Sequence, residues 1–585
     1  MARHDSGVRL VVAASAGSLA LGQRVADLAD LPHRPGAAPS PALAPTAVPE
    51  EFDVVVVGSG GAALAAAAGA LSVGASVVVC EKGPVHGGTT ACSGGVAHIY
   101  ANSVMRAAGI EDPRPDALAY MARVGYPGAY DPEAPYLGLL SSEYELLETY
   151  YDRGAEVMGR LGDIGAAPMG APWLSWDGQG FPDYYEFPEN KALRGRGIQV
   201  VAPEGGAGNG GELIRQLMAF ATSRGTEVRL ENRVVDLLVD EGNVTGVVVD
   251  DGRACRKVVA HGGVVFGSGG FAHDPELRAR FLHGPIAGGS GVPSNTGDLI
   301  RMGPRAGVLF GGMHHAWWNQ QVLEAVDDYA NSVLDVWAIP GDSMVLVNRL
   351  GRRAIGEKRE YASRGQVHHM YDNDEYVNRV MFMVYDARCA EQYAGRYPIP
   401  PLGSVADHVV SGVGVDGLTA ALSERLRTRA RVAMPPGIAP VELAPSFAET
   451  LTATIRRFNA MAEIGRDDEF GRGAKAVEFA FHGPPAPDNN LPNSAMYPLH
   501  LDGPLFAMAI VGTAFDTNSG PRIGTEGQIL GSAGPIGGLY GAGNCVDPVF
   551  GEGYPGGGST IGPGLVFGFL GGAHAGRRSP KVGAP

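Results

Sequence analysis

At 585 residues the chain is too long for one small core, and two or three domains are the expectation. Its 46 basic and 62 acidic residues leave a net charge of −16, which argues against nucleic acid or an anionic membrane as a partner. Hydrophobic residues at 45% and charged residues at 18% fit a globular enzyme, and 87 glycines, about twice the usual share, call for many close backbone approaches.

Residues 1–50 open with Arg3 and Arg9 ahead of LVVAASAGSLALG, a faint export-like pattern, and continue as the Pro/Ala-rich PHRPGAAPSPALAPTAVPEE. No twin arginine precedes the apolar run. A disordered, dispensable extension on a cytoplasmic protein is expected, with a weak export signal as the alternative. The five cysteines (Cys80, Cys92, Cys255, Cys389, Cys545) form no CxxC pair, so neither a disulfide framework nor a metal site is expected. No run of about 18 apolar residues predicts a membrane span.

Structure is predicted to begin at Phe52. The apolar run 53–57 reads as a buried parallel strand, 61–73 as an alanine-rich helix and 75–80 as a second buried strand, a βαβ opening. Residues 112–192 mix helical patches with Pro- and Tyr-rich loops. From 211 a helix precedes three short strands of a β-meander, and 262–271 is an apolar strand running into glycines. The expected division is 51–284 for the first part of a cofactor domain, 285–492 for an inserted α+β substrate domain, and 493–585 for the second part of the cofactor domain. The fold class is α/β, with a split Rossmann-type domain.

Gly58-Ser59-Gly60-Gly61-Ala62-Ala63 fits GxGxxG/A between the first strand and its helix. The first glycine makes the turn, the second admits a pyrophosphate, and the small third position lets helix and strand pack closely. Glu81 ends the next strand 23 positions after Gly58, where a ribose hydroxyl is met. Lys82 follows, and then HGGTTACSGG, whose Gly88, Thr89, Thr90, Ser93, Gly94 and Gly95 suit a second pass of backbone along a long cofactor. GVVFGSGG, with Ser268 and Gly269, and GAGN, with Asn544, give two further close approaches. Four such segments point to FAD, held without a covalent bond.

These segments resemble the flavoproteins of the fumarate reductase and succinate dehydrogenase superfamily over about residues 51–580. No histidine- and arginine-bearing tail of the carboxylate-reducing branch is found. The run GEGYPGGGSTIGPGLVFGFL instead resembles the 3-ketosteroid dehydrogenases, as do SNTGD (294–298), the AWW of 316–318 and DDEFGRG (467–473). That resemblance implies that the Tyr554 hydroxyl and the Gly558 amide hold the substrate's C3 carbonyl oxygen, an oxyanion-type pair. It implies that Tyr361, ending the R-x-x-x-E-x-x-x-Y pattern of RAIGEKREY, abstracts the C2 proton, and that Tyr184 of FPDYYEF supports it. It adds Val235, Ile561 and Gly562 to the cofactor contacts.

Two departures from the family stand out. Gly356 occupies a position where asparagine is common, and DTNSGPRIG (516–524) replaces a GTKGG-like run. The implied activity is dehydrogenation of a 3-ketosteroid or similar polycyclic ketone at the 1,2 bond, with electrons passing to a quinone-type acceptor. A 4-dehydrogenase, a fumarate reductase-like enzyme and an inactive flavin-binding homologue are the alternatives. His314, His315, Trp317 and Trp318 read equally as pocket wall or core, and Arg352/Arg353 as a solvated loop.

Overall fold

The computed structural model describes residues 49–284, 286–326, 336–429 and 440–580. All but the last two residues of the expected N-terminal extension lie outside them. The strand Glu50–Val57, with Val54 to Val57 buried, pairs in parallel with Val77–Cys80 on one side and Cys255–Phe266 on the other. An apolar run without polar alternation is what a strand covered on both faces needs. The sheet continues in parallel through Glu227–Arg229 at one end and Gly534–Gly541 at the other, so strands from both ends of the chain share it. Of the three strands expected as a meander, Arg233–Asp240 and Asn243–Asp250 are antiparallel to each other and joined to Cys255–Phe266, whereas Glu227–Arg229 pairs in parallel with Val77–Cys80 instead.

One face of this sheet carries the helix Gly61–Ser72 against the final helix Ile561–Arg578, and their composition explains how closely they meet. A Cβ on Gly568 would fall 2.3 Å from the Ala62 carbonyl oxygen, one on Gly572 1.9 Å from that of Ala66, and one on Gly69 2.1 Å from that of Phe569. Backbone packs on backbone, which larger side chains would prevent.

The second sheet is antiparallel: Ala316–Val322, Pro504–Thr517, Val380–Asp386 and Met344–Asn348 in that order, with Val410–Val413 also on the long strand. Ala316–Val322, Val380–Asp386 and Met344–Asn348 are buried along their whole length. Val345, Val347, Phe382 and Val384 pack in a cluster with residues of the helices Gly414–Arg429 and Phe447–Ile464. Leu346, Met381, Met383 and Tyr385 pack with Tyr393 and Ile399 in another cluster. The long strand carries the chain in the second sheet as far as Thr517. A small sheet of Ala97–His98, Met169–Pro172, Gly197–Val201 and Ala207–Gly208 completes the fold, and of its strands only Met169–Pro172 falls in the segment 112–192 read from sequence as helix and loop. No described helix is long and apolar enough to cross a membrane.

Candidate active site

A cavity of about 440 Å³ runs between the two large sheets, from the first βαβ turn to an aromatic end. At the turn, Gly58 has φ +97° and its amide donates to the Cys80 carbonyl at 2.8 Å. A Cβ there would lie 2.6 Å from the Gly267 carbonyl oxygen, so two cofactor-facing loops cross at a point only glycine fits. Gly58→Ala is therefore expected to add about 1–3 kcal/mol of backbone strain as well as the clash. The purified variant should be colourless, and a normal flavin content measured by absorbance would contradict this.

The helix Gly61–Ser72 starts without a side-chain cap and without an acid in its first turn. Its uncancelled N–H groups and dipole therefore face the cavity, where an anion is favoured. Gly61 donates its amide to Thr90 Oγ1 at 3.1 Å. Ser59 Oγ donates to Glu81 Oε2 at 2.6 Å and accepts from the Gly87 amide at 3.0 Å, which ties the turn to the HGGTTACSGG loop. Glu81 also accepts from the Gly83 amide at 2.7 Å. Lys82 reaches the cavity wall, but its Nζ is 2.6 Å from Asp298 Oδ2 and 2.8 Å from Thr296 Oγ1. Burial opposes the Asp298 charge, yet Lys82 and Arg233 beside it outweigh burial and hold the carboxyl below its ordinary range.

Residues Gly58 to Ala62, Glu81, Lys82, Gly88 to Thr90, Ser93 to Gly95, Ser268, Gly269, Asn544 and Ile561 all line this cavity. Val235 and Gly562 do not. Val235 is the extra residue of a bulge between Val234 and Asp236, and it is Val234 that reaches the wall. Gly562 packs elsewhere: a Cβ there would meet the Tyr150 hydroxyl at 2.2 Å.

One residue missed at the sequence level is Asp516, the first residue of the departing DTNSGPRIG run. It is fully buried on the cavity wall and accepts from the Gly270 amide and Asn295 Nδ2, each at 2.8 Å, and from Asn544 Nδ2 at 3.2 Å. Burial pushes its carboxyl up to about 6 against those hydrogen bonds. Asn544 Oδ1 in turn accepts from Trp317 Nε1 at 2.8 Å.

A bare glycine cradle and a helix start with no side-chain cap, with Ser268 also on the cavity wall, together fit a dinucleotide with its pyrophosphate at the helix. Among the described residues no group of His, Cys, Asp or Glu is arranged to hold a metal.

At the aromatic end three tyrosines from distant positions converge. Tyr184 and Tyr554 stack with centroids 5.6 Å apart and planes 10° from parallel. Tyr361 meets both edge-on, at 5.5 Å and 5.3 Å. The Tyr184 hydroxyl donates to the Tyr361 hydroxyl at 3.0 Å. Burial first, then the neighbouring phenols, push Tyr361 well above the ordinary tyrosine value; burial and then Tyr554 push Tyr184 up likewise, against the lowering effect of its hydrogen bond with Tyr361. Gly558, φ +95°, accepts from the His98 and Gly562 amides through its carbonyl, and no acceptor among the described residues takes its own N–H.

Trp173, Trp317, Trp337 and Phe515 complete the wall. Trp317 is thus a pocket residue, while Trp318 packs on His369 and the histidines His314 and His315 lie outside the cavity. The Arg352/Arg353 expectation also changes. Arg353 is buried and forked onto Glu357 and Asp467, so the first two residues of the R-x-x-x-E-x-x-x-Y pattern are an ion pair behind the tyrosine.

A parallel sheet with a dinucleotide cradle, opening onto an aromatic chamber built from several distant segments of the chain, defines a flavin-dependent oxidoreductase. Residues 53–561 match the family described as FAD binding domain, and the chain belongs to it. The chain is 30% identical to the 3-oxosteroid 1-dehydrogenase of Mycolicibacterium smegmatis, over 89% of its own length and 96% of that protein's. It is also 30% identical to the 4-oxocyclohexanecarboxylate 2-dehydrogenase of Sinomonas cyclohexanicum, over 89% and 92%. The crystal structure of 3-ketosteroid delta1-dehydrogenase from Sterolibacterium denitrificans, in complex with 1,4-androstadiene-3,17-dione, shares the fold with a TM-score of 0.75 at 22% identity, over 90% of this chain and all of that one. FAD is the cofactor, and the protein is an FAD-dependent oxidoreductase acting on CH–CH groups.

Proposed function

We propose that this enzyme dehydrogenates the bond beside a ring ketone, with 3-ketosteroids as its substrate class and the 1,2 bond as the one oxidised. The observation that carries this reading is the tyrosine trio in an aromatic chamber, with Tyr184 donating to Tyr361 at 3.0 Å. Bound FAD supplies the hydride acceptor. The Tyr554 hydroxyl and the Gly558 amide donate to the ketone oxygen and stabilise the enolate charge that grows there. Tyr361, in its phenolate form, takes the proton from the carbon next to the carbonyl and becomes a phenol, while Tyr184, hydrogen-bonded to the same oxygen, holds it in place. Hydride and proton leave from adjacent carbons, on opposite faces. A quinone-type molecule then collects the electrons.

The chamber supports a neutral ketone over a keto acid. Lys82 is the sole cationic side chain on the cavity wall among the described residues, and Asp298 already neutralises it. A carboxylate brought here would lose its hydration without a counter-charge. Anaerobic mixing with androstenedione tests the reading: the flavin's visible absorption should bleach, and the product should be the 1,4-diene. A flavin that stays oxidised, or one bleached only by 4-oxocyclohexanecarboxylate or a fumarate-like acid, would refute it.

A pH dependence follows from the raised Tyr361 value. A phenol whose titration lies above 10 is almost wholly protonated at neutrality, and its basic form grows tenfold per pH unit. The rate of flavin reduction by ketone should therefore climb about tenfold per unit from about pH 7 to pH 10 without levelling. A bell centred near neutrality in stopped-flow data would assign the base to another group.

A further inference from the structure

Behind the tyrosines lies a buried charge network that the proposed chemistry does not itself use. Arg196 is 0% exposed. Its guanidinium takes both oxygens of Asp112, at 2.6 Å and 3.1 Å, with Oδ2 of Asp183 and, at 2.9 Å, Asn190 Oδ1. It lies over the rings of Tyr100 and Tyr120, at 4.5 Å and 5.1 Å. The other Asp183 oxygen meets His98 Nε2 at 3.0 Å. Burying such a set costs desolvation energy that apolar packing avoids, so it is a weak source of stability.

Several of the network's contacts lead to one place. Asp183 immediately precedes Tyr184, whose amide donates to the Pro555 carbonyl at 3.0 Å. The Tyr120 hydroxyl donates to that same carbonyl at 2.7 Å. The His98 amide donates to the Gly558 carbonyl at 3.2 Å. At Gly556 a Cβ would lie 2.6 Å from His98 Nε2 and 3.0 Å from Asp183 Oδ1, so this stretch rests directly on the charged side chains. The segment that carries Tyr554 and Gly558 is thus held at three successive points, and Tyr184 is fastened to the same carbonyl.

We propose that Asp112, Arg196, Asp183 and Tyr120 are positioning residues that fix the Tyr554–Gly558 pair relative to Tyr184 and Tyr361. The inference rests on the proposed role of those four groups at the ketone. A rigid second layer of this kind sets the geometry of a site to about 0.5 Å, and a misplacement of about 1 Å costs on the order of 10² in rate.

Arg196→Lys keeps the charge but loses the fork that holds Asp112 and Asp183 together. It is expected to lower kcat, counted per bound flavin, about 10²-fold with KM changed less than about threefold. Tyr120→Phe removes one hydroxyl and is expected to cost about tenfold, which keeps the test alive if the lysine variant fails to fold. Hydrogen exchange supplies a readout that needs no substrate: peptides covering 553–559 should exchange about tenfold faster in both variants, while the strands of the large sheets stay protected. Unchanged exchange over 553–559 in a folded variant, or a loss of flavin content and thermal stability with kcat per bound flavin intact, overturns the proposal. A wild-type flavin that androstenedione leaves oxidised overturns the functional reading, while the exchange result still decides the positioning role.

Discussion

Tyr361→Phe is expected to give a yellow, folded enzyme whose flavin a ketosteroid reduces about 10²–10⁴ times more slowly, the usual range for loss of a proton-transferring group. The side chain is buried, its ring is held edge-on by Tyr184, Tyr554 and Phe515, and its oxygen accepts from Tyr184 at 3.0 Å. Phenylalanine keeps all the ring contacts and removes only the hydroxyl proposed as the base. The loss should appear in the first-order rate of flavin bleaching and leave the ketone concentration for half-saturation nearly unchanged. The steep rise of rate with pH should vanish as well. A loss smaller than about tenfold, measured by anaerobic stopped-flow, would return Tyr361 to a packing role.

Tyr554→Phe should cost about 10²–10³ in the same rate, as removal of one oxyanion donor does elsewhere. The second proposed donor, the Gly558 amide, is backbone and survives any substitution that preserves the turn. The residual activity of Tyr554→Phe therefore measures what the amide contributes alone. The ring itself, stacked on Tyr184 and edge-on to Trp317 at 5.1 Å, stays in place without its hydroxyl. A variant that loses flavin along with rate would mean that Tyr554 serves the fold rather than the ketone.

The cofactor half was legible because its constraints are local. A backbone that must approach a pyrophosphate needs glycine at fixed intervals, and Gly58, Gly60 and the Gly87–Gly95 loop announce this in the sequence. The same locality explains the misses. Val235 and Val234 are neighbours, and only pairing with Asn243–Asp250 and its bulge decides which one faces the cavity. Asp516 could be noticed as an odd residue, but its hydrogen bonds to Asn295 and Asn544 span a sequence separation that no spacing rule reaches. The chamber walls were harder still. Trp173, Trp337 and Phe515 are single aromatics in three unrelated segments, each indistinguishable from a core residue until the two sheets are set against each other. Arg353 misled for the opposite reason: an arginine pair suggests solvent, and only Glu357 and Asp467 closing around it make burial possible.

The close crossing of Gly61–Ser72 with Ile561–Arg578 bears on how the protein folds. The helix that starts the nucleotide cradle and the surface it packs on are separated by nearly the whole described chain, and strand Gly534–Gly541, which extends the same sheet, is almost as distant from it. The second sheet is closed over a long span as well, by Ala316–Val322 pairing with Pro504–Thr517. Contacts of such high sequence separation are slow to form. Refolding of the unfolded chain is therefore expected to be slow, with flavin taken up only once the two helices have met.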